Sequence, residues 1–371
     1  MFDVKNLLAR GKKIFRFDLF PASKSLVGLD IGSSAIKLAE IVETPKGFIL
    51  SRFSQIPLAM GVIVDGVPVE QQELAIKIKQ LFKQSGCKRK SIVTSLSGHS
   101  VIIKKVNFPT MDEAELSYLI KDEAGKYLPF DSMEAVSYDF QVLGENEFNP
   151  NQMDVIIVAA KNEIVNSYAD VIQQAGYSPV IMDVDSFALE TMYEENYDFE
   201  DNEMVILVNI GASITNINVL RGGTSVFTRD FMLAGNSITE AIGQKMGIAF
   251  EEAERIKIEG LDGDEAAGKE FRENLLYYAE PICSEIERSV DYFRSTYGGE
   301  YLKRILLAGG SARIPGIASD LTQRLGIEAG IANPFKKIGY DKKALSQATI
   351  EEITPIAAVG VGLALRKVGD K

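Results

Sequence analysis

The sequence predicts an α/β protein made of two related lobes. Three observations predict this fold class: a length of 371 residues, which exceeds what one ordinary hydrophobic core supports, an alternation of strand-like and helix-like segments, and a glycine-containing hairpin that occurs twice. The first copy, LDIGSSAIKLAEI, occupies residues 29–41, and the second, VNIGASITNINVL, occupies residues 208–220. Both copies read strand, Ile-Gly, small residue, Ser and second strand, so we expect two structural repeats.

Apolar runs and helical periodicity give the order of the elements. A polar stretch at residues 194–203 is expected to mark the crossing between the lobes. Strands are expected at residues 26–30, 35–42, 47–53, 91–96, 101–107, 136–143, 154–160, 179–183, 205–210, 214–220, 224–230 and 304–308. Helices are expected at residues 70–85, 111–126, 161–175, 185–194, 235–246, 250–258, 266–296 and 315–325.

Composition argues against several classes of function. The formal net charge of -12 would repel nucleic acid. The chain has a single histidine, His99, which argues against a metal site of several histidines and against a Ser-His-Asp triad. We expect His99 to be a polar residue at a strand end. The two cysteines, Cys87 and Cys283, lie far apart in the sequence, and a chain of this length does not need a disulfide bond for stability. This favours a reducing, cytosolic compartment.

The N-terminal residues 1–25 form a basic amphipathic arm, with six basic residues against two acidic ones. The arm lacks the continuous apolar centre of a secretory signal, and no uninterrupted apolar run in the chain reaches membrane-spanning length. Such an arm either rests on anionic lipid or packs on its own domain or on a partner. The second interpretation is favoured because the apolar positions of the arm are irregularly spaced.

The two hairpins carry the residue types that bind phosphate. A glycine at the bend lets the backbone approach a ligand closely, and successive N–H groups in such a turn form an anion-binding concavity. Ser33 and Ser34 add hydroxyl donors, and Asp30 at the strand end can hold a hydrated Mg²⁺. One such hairpin is most often a plain turn, whereas two facing each other would clamp a nucleoside triphosphate between the lobes.

Two further segments have both a structural and a functional interpretation. In residues 305–326 a Gly-Gly-Ser turn follows a buried strand, and it serves either as a flat surface for a ring or ribose or as a tight strand-to-helix link. In residues 250–260, Glu254 and Lys257 lie three positions apart on one helical face. They form either a solvated ion pair or a contact to a ribose.

These segments, in this order, resemble the actin-like ATPase superfamily over about residues 27–365. Residues 27–38 resemble its first phosphate motif, residues 206–220 its second, and residues 305–317 its adenosine motif. The resemblance implies an actin-like (ribonuclease H-like) duplicated two-lobe fold that binds ATP and Mg²⁺, with Asp30 at the metal. The nucleotide-binding residues that it implies are Asp30, Gly32, Ser33, Ser34, Lys37, Asn209, Gly211, Ser213, Glu254, Lys257, Gly309, Gly310 and Ser311.

Within the superfamily the chain resembles the PilM family of type IV pilus assembly. Three stretches carry the resemblance: residues 28–41, residues 123–143 (EAGKYLPFDSMEAVSYDFQVL) and residues 229–242 (RDFMLAGNSITEAI). It implies a cytoplasmic adaptor, peripheral on the inner membrane, that binds the N-terminal cytoplasmic peptide of a PilN-like membrane protein and works with other platform proteins and motor ATPases. The FtsA family fits less well, because the chain ends in ALRKVGDK without a membrane-binding amphipathic helix.

The resemblance also implies the domain organisation and a partner groove. Apart from the arm, the expected units are lobe 1 (1A) at residues 26–99 and 179–200, an inserted subdomain (1C) at 100–178, lobe 2 (2A) at 204–245 and 276–371, and subdomain 2B at 246–275. Candidate groove residues in the insertion are Tyr127, Leu128, Phe130 and Tyr138. Each of them is equally well explained as ordinary subdomain core.

One residue departs from the superfamily pattern. The second phosphate motif usually carries an aspartate, and this chain has Asn209, which can neither carry a charge nor act as a base. Slow or absent hydrolysis is therefore expected. The alternative functions are an active actin-like ATPase, an FtsA-like filament former and a sugar-kinase-like phosphotransferase. The remaining acid candidates are Asp183 and Asp185, the latter of which would otherwise cap the following helix.

Overall fold

The computed structural model describes residues 26–130, 133–146, 149–261, 265–298 and 302–368, so the basic arm predicted at residues 1–25 lies outside the described residues. The strands are β1 (Val27–Ile31), β2 (Ala35–Thr44), β3 (Gly47–Pro57), β4 (Ile63–Val64), β5 (Val67–Pro68), β6 (Ser91–Leu96), β7 (Val101–Pro109), β8 (Val136–Glu145), β9 (Gln152–Lys161), β10 (Ser178–Val184), β11 (Met204–Ile210), β12 (Thr215–Arg221), β13 (Thr224–Phe231), β14 (Leu302–Ala308), β15 (Glu328–Ile331) and β16 (Gly339–Tyr340). The helices are α1 (Gln71–Ser85), α2 (Glu113–Tyr127), α3 (Asn162–Gln174), α4 (Asp185–Asn196), α5 (Gly235–Met246), α6 (Phe250–Glu259), α7 (Glu265–Tyr297), α8 (Ile317–Leu325), α9 (Gln347–Ile353) and α10 (Ala358–Leu365).

Two large sheets share one strand order. In lobe 1 the order is β10-β6-β1-β2-β3, extended by β16, and in lobe 2 it is β15-β14-β11-β12-β13. In both sheets the first three strands along the chain are antiparallel, and the strands on the other side of β1 and β11 are parallel. The repeated order confirms the duplicated two-lobe architecture predicted from the paired hairpins.

The central strand of each lobe points a single polar side chain toward the other lobe. Strand β1 is buried along its whole length, and β11 nearly so, as expected for central strands covered on both faces. The exceptions to their apolar sequences are Asp30 and Asn209, each one residue before the end of its strand. Across the hairpins Asp30 pairs with Lys37 and Asn209 pairs with Asn216, so equivalent positions of the two repeats are polar.

The inserted subdomain is a three-stranded antiparallel sheet, β7-β9-β8, with α2 packed on one face. The helix that follows, α3, packs against α1 and adds residues such as Ile164 and Ile172 to the core of lobe 1. The insertion therefore ends near Lys161, earlier than the predicted residue 178. The difference arises because the strongly amphipathic α3 buries its apolar face against lobe 1.

The end of the chain returns to lobe 1, whereas the sequence analysis assigned residues 276–371 to lobe 2. Strand β16 pairs with β3, and α10 packs on β1, β2 and α4. The reason is that every residue of α10, sequence AVGVGLAL, is buried, so this helix needs apolar partners on all sides. In the described residues no single helix is long and apolar enough to span a membrane, and α9 with α10 reaches the required composition only as a pair bent by 98°.

All twelve predicted strands and all eight predicted helices overlap elements of the structure. The elements not predicted are β4, β5, β15, β16, α9 and α10. The four strands are two to four residues long, which is too short for a period to appear. The apolar segment that contains α10 fits a strand or a helix equally well from sequence.

Glycines allow α10 to lie directly on the backbone of its neighbours. A Cβ atom on Gly362 would lie 1.8 Å from the carbonyl oxygen of Ala188 in α4, and one on Gly28 of β1 would lie 2.3 Å from the carbonyl oxygen of Gly360. Just after α10, Arg366 donates a hydrogen bond of 2.6 Å to the buried Asp183 carboxylate of β10. The helix is thus fixed both by close packing and by a buried ion pair at its end.

Replacing Gly362 with Ala is expected to lower the free energy of unfolding by about 2–3 kcal/mol, because α10 must move away from α4 to accommodate the new methyl group. Urea unfolding followed by circular dichroism measures this change. The matched control is Gly360→Ala, whose Cβ would make an ordinary 3.6 Å contact with Ala39 and which gains about 1 kcal/mol of helix propensity. Equal stability of the two variants would contradict the packing described.

Candidate functional site

A cleft of about 1020 Å³ lies between the two lobes. Both glycine hairpins, the turn after β14 and the inner face of α6 line it. The structure brings all thirteen residues predicted to bind nucleotide to this one cleft: Asp30, Gly32, Ser33, Ser34, Lys37, Asn209, Gly211, Ser213, Glu254, Lys257, Gly309, Gly310 and Ser311. The paired motifs therefore face each other, as the sequence required for a ligand clamped between the lobes.

The two hairpin loops have the same geometry. In the first, the N–H of Gly32 donates to the carbonyl oxygen of Ala35 at 3.1 Å, and in the second the N–H of Gly211 donates to that of Ile214 at 3.0 Å. Within the described part of the chain, the N–H groups of the two residues between these positions in each loop have no acceptor. Two such groups per loop, at opposite walls of the cleft, form concavities suited to anionic oxygen atoms.

A carboxylate and an ammonium group lie side by side at the first loop. Lys37 Nζ is 2.8 Å from Asp30 Oδ2, and both side chains are mostly buried. The pair holds the lysine at the loop where its charge would meet a phosphate. It also keeps the Asp30 carboxylate charge-compensated while no cation is bound.

The equivalent position of the second repeat holds a row of side chains instead of an ion pair. Asn209 Nδ2 donates to Asn216 Oδ1 at 3.1 Å, and the Asn216 side chain hydrogen-bonds the Asp230 carboxylate on the next strand. The three residues are cross-strand neighbours on β11, β12 and β13. Asn209 therefore lies at the cleft with its amide engaged, and an amide carries no negative charge.

The turn after β14 is a tight strand-to-helix link, and its use as a surface for a ring or ribose stays a prediction. Gly309 has φ +91°, and a Cβ on it would lie 2.3 Å from the carbonyl oxygen of Ile210, so its glycine is required by the tight link. Gly310 differs, because a Cβ there would meet no atom within 4 Å and would point into open space beside the cleft. Ser311 Oγ donates to the carbonyl oxygen of Gly211 at 3.2 Å and ties this turn to the second hairpin.

Glu254 and Lys257 form a part-buried pair on α6. Lys257 Nζ is 2.6 Å from Glu254 Oε2, and it also donates to Thr239 Oγ1 at 2.7 Å and to the carbonyl oxygen of Gly235 at 3.0 Å. Burial lowers the pKa of Lys257, and the charge of Glu254 opposes that effect. The pair is therefore built into the wall between α5 and α6, and any contact with a ribose stays a prediction.

The two acid candidates from the sequence lie in different surroundings. Asp183 is buried against Arg366 and does not line the cleft, so it is not available as a base there. Asp185 does line the cleft, and Ser95 Oγ donates to its Oδ1 at 2.5 Å. Asp185 is the first residue of α4, whereas the N-cap position of this helix is held by Val184. Burial, with a smaller contribution from the nearby charge of Asp30, raises the pKa of Asp185 to about 7.

Several cleft residues were not identified from the sequence. Asn216 lies opposite Asn209 in the second hairpin, and the hairpin register could have indicated it. Asn236 binds the second loop, donating from Nδ2 to Ser213 Oγ at 3.0 Å. Tyr168 on α3 donates to the carbonyl oxygen of Gly66 at 3.1 Å and holds the β4–β5 hairpin at the rim. No local pattern indicates Asn236 or Tyr168, because their contacts join distant segments.

The predicted partner-groove residues are not equally accessible. Leu128 is 3% exposed and belongs to the core of the inserted subdomain, so it presents no surface to a partner. This corrects its assignment to the groove in favour of the core interpretation. Tyr127, Phe130 and Tyr138 are half-buried at the margin of that core, and the Tyr127 ring meets Phe108 edge-on with centroids 5.2 Å apart.

The residues at the cleft suit a metal ion only if it arrives with its own ligands. Among the described residues there is no group of three His, Cys, Asp or Glu side chains that could hold a metal ion. Asp30 alone offers a carboxylate at the first loop. Mg²⁺ commonly keeps several waters and binds through one or two carboxylates plus phosphate oxygens, so the donor set fits an ion carried by a phosphorylated ligand.

Solved structures share this fold. A chain in the structure entitled "PilM-PilN type IV pilus biogenesis complex" is 29% identical, with a TM-score of 0.82 over 95% of this chain and 100% of that chain. The ethanolamine utilization protein EutJ from Carboxydothermus hydrogenoformans is 15% identical, with a TM-score of 0.55 over 94% and 91% of the two chains. A glycerol dehydratase reactivase is 10% identical, with a TM-score of 0.52 over 92% and 99%. These matches confirm the predicted actin-like fold.

The family comparison agrees with the structural one. The model of the type IV pilus assembly protein PilM family matches residues 28–368, which include both lobes and the inserted subdomain. The match thus includes the two hairpins, the turn after β14 and the segment EAGKYLPFDSMEAVSYDFQVL. The chain belongs to the PilM family of type IV pilus assembly proteins.

Proposed function

We propose that this protein is a cytoplasmic adaptor of a type IV pilus assembly platform that binds ATP between its lobes and holds the N-terminal peptide of a PilN-like membrane protein. The observation that carries the proposal is the meeting of both glycine hairpins at one cleft in a chain of the PilM family. A related chain occurs in a complex with PilN, which supports the choice of partner. Binding this partner, other platform proteins and motor ATPases would keep the adaptor peripheral on the inner membrane.

In this proposal the phosphates of ATP lie between the hairpin loops. The unpaired N–H groups and the hydroxyls of Ser33, Ser34 and Ser213 donate to phosphate oxygens, and Lys37 adds a positive charge. Asp30 would hold a hydrated Mg²⁺, which would neutralise part of the phosphate charge. The nucleoside lies toward Gly310 and the pair on α6, where the wall is open.

The same cleft is poorly equipped for hydrolysis. Asn209 cannot accept a proton from water, and its amide is already engaged with Asn216. The carboxyl group of Asp185 also lines the cleft, but burial raises its pKa, and the hydrogen bonds that it accepts from Ser95 and Ser97 fix its orientation. We therefore infer that ATP serves as a structural or switching ligand.

The inserted subdomain carries the partner surface in this proposal. Tyr127, Phe130 and Tyr138 expose aromatic edges beside an apolar core, a composition that suits the apolar anchors of an extended peptide. Lys104 Nζ donates to the carbonyl oxygen of Tyr127 at 2.8 Å and fixes the backbone where α2 ends.

Replacing Asp30 with Ala is expected to remove the Mg²⁺ dependence of ATP binding. The affinity for ATP with Mg²⁺ should fall about tenfold, the loss expected for one charge-assisted contact. The affinity in EDTA should not fall, because Lys37, released from its pair with Asp30, keeps its positive charge for the phosphates. Isothermal titration calorimetry measures both. Glu43→Ala, which removes an exposed carboxylate at the far end of the same hairpin, is the control. Equal loss in EDTA would contradict the role given to Asp30.

Steady-state phosphate release with ATP and Mg²⁺ is expected to stay below about one per second, because no charged base faces the cleft at position 209. A coupled phosphate assay measures the rate, with and without the partner peptide. Turnover above that value would favour the alternative of a working actin-like ATPase, and transfer to added sugars would favour a phosphotransferase.

Tyr127→Ala and Phe130→Ala are each expected to weaken binding of a PilN-like N-terminal peptide about tenfold, because each removes an aromatic contact from the proposed groove. Fluorescence anisotropy with a labelled peptide measures the affinity. Tyr118→Ala is the matched control, since Tyr118 lies on the outer side of the same helix and is 79% exposed. Unchanged affinity in both groove variants would place the peptide elsewhere.

A further inference from the structure

A short turn joins the cleft of lobe 1 to the inserted subdomain. Residues Gly98–Ser100 form one turn of 3₁₀ helix between β6, which lies beside β1 in lobe 1, and β7, the first strand of the insertion. Gly98 has φ +68°, a conformation that glycine adopts without strain. Whatever moves this turn therefore moves the start of β7 directly.

Lobe 2 holds this turn by one hydrogen bond and one close contact. The N–H of Gly98 donates to Asp230 Oδ2 at 2.7 Å across the lobe boundary. A Cβ on Gly98 would lie 2.6 Å from Ile214 Cδ1, so the second hairpin loop packs closely on the turn. The preceding residue, Ser97, bonds Asp185 within lobe 1, so the turn is held from both lobes.

Asp230, which accepts the hydrogen bond from the turn, is also the last residue of the row Asn209, Asn216 and Asp230 that begins at the cleft. Asn209 lines the cleft and donates to Asn216, and Asn216 hydrogen-bonds the Asp230 carboxylate. The row runs across three adjacent strands, β11, β12 and β13, whose backbone pairing keeps the three residues in register. Each member has a partner, so reorienting one amide changes the bond made by the next.

We propose that Asp230 is a positioning residue that transmits occupancy of the cleft to the inserted subdomain. This rests on the proposed function, because the signal is a phosphate-bearing ligand and the response is a change in affinity for the partner peptide. Asn209 Nδ2 has two hydrogens and donates one of them to Asn216. A phosphate oxygen is a charged acceptor that attracts this amide toward the cleft and away from Asn216. Release of Asn216 changes its bond to Asp230, and with it the hold of Asp230 on Gly98.

The coupling can be measured as a ratio of affinities. The dissociation constant of a fluorescein-labelled PilN-like N-terminal peptide is determined by anisotropy on the full chain, with and without saturating ATP and Mg²⁺. The wild-type ratio is expected to differ from one by at least about fivefold, the lower end for coupled sites. Asp230→Ala is expected to bring it within about twofold of one, and Asp230→Asn, which retains an oxygen acceptor for Gly98, is expected to restore part of it.

Arg229→Ala is the matched control for Asp230→Ala. Arg229 is the neighbouring residue on β13, pairs with Glu285 on the surface of lobe 2, and makes no bond to the turn, so its variant should keep the wild-type ratio. Amide hydrogen exchange supplies a second readout, in which Asp230→Ala speeds exchange at Gly98 in the ligand-free chain.

The outcomes separate this inference from the proposed function. Binding of both ATP and peptide with a wild-type ratio of one, or an unchanged ratio in Asp230→Ala, overturns the inference alone. Equal loss of coupling in Arg229→Ala also overturns it, since the effect would then be general to β13. Absence of ATP or peptide binding by the wild-type chain contradicts the proposed function and the inference with it.

Discussion

The backbone contact of α10 with β1 and α4 is the constraint on which the cleft depends. Through Gly28 and Gly362 the helix lies against its neighbours without intervening side chains, so its position is fixed within fractions of an ångström. The segment leading into α10 also reaches lobe 2, because the carbonyl oxygen of Pro355 accepts the N–H of Gly309 at 2.7 Å. The buried helix α10 therefore completes the core of lobe 1. The segment before it fixes the position of the turn after β14 at the cleft.

Local sequence was sufficient for most elements and for the residues of the three cleft motifs. Gly32 and Gly211 were identifiable because a hairpin is specified by contiguous residues, and the repeat made the second copy recognisable. The contact that ends the row from Asn209 to Asp230 was not identifiable, because Asp230 accepts from Gly98 across 132 positions of sequence. Likewise, the return of the C-terminal segment to lobe 1 depends on which apolar surface α10 covers. A fully apolar helix carries no directional pattern that says which surface this is.

Charge at the cleft explains why an amide stands at position 209. Asp30 and Asp185 already lie close enough for the charge of Asp30 to raise the pKa of Asp185, and Asp230 adds to the same effect. A further carboxylate at position 209 would add repulsion among groups that are partly removed from water. The amide of Asn209 also donates to Asn216 Oδ1, which an ionised carboxylate cannot do. Asn209, which argues against hydrolysis, is thus also the residue that donates to Asn216 and completes the row that ends at Asp230.

The amide at position 209 matters for whether a protein of this fold acts as an enzyme or as an adaptor. Hydrolysis by general-base catalysis needs a proton acceptor near the attacking water, whereas a switch needs a ligand-sensitive contact connected to a distant surface. Asn209 meets the second requirement, since its hydrogen bonds lead through β12 and β13 to the turn that begins the inserted subdomain. In the proposed coupling, a difference in the hydrogen bonds of Asn209 with and without phosphate supplies the free energy for a change at the partner surface. In the coupling proposed above, the amide at position 209, which cannot act as a base, is also the group that connects the cleft to the insertion.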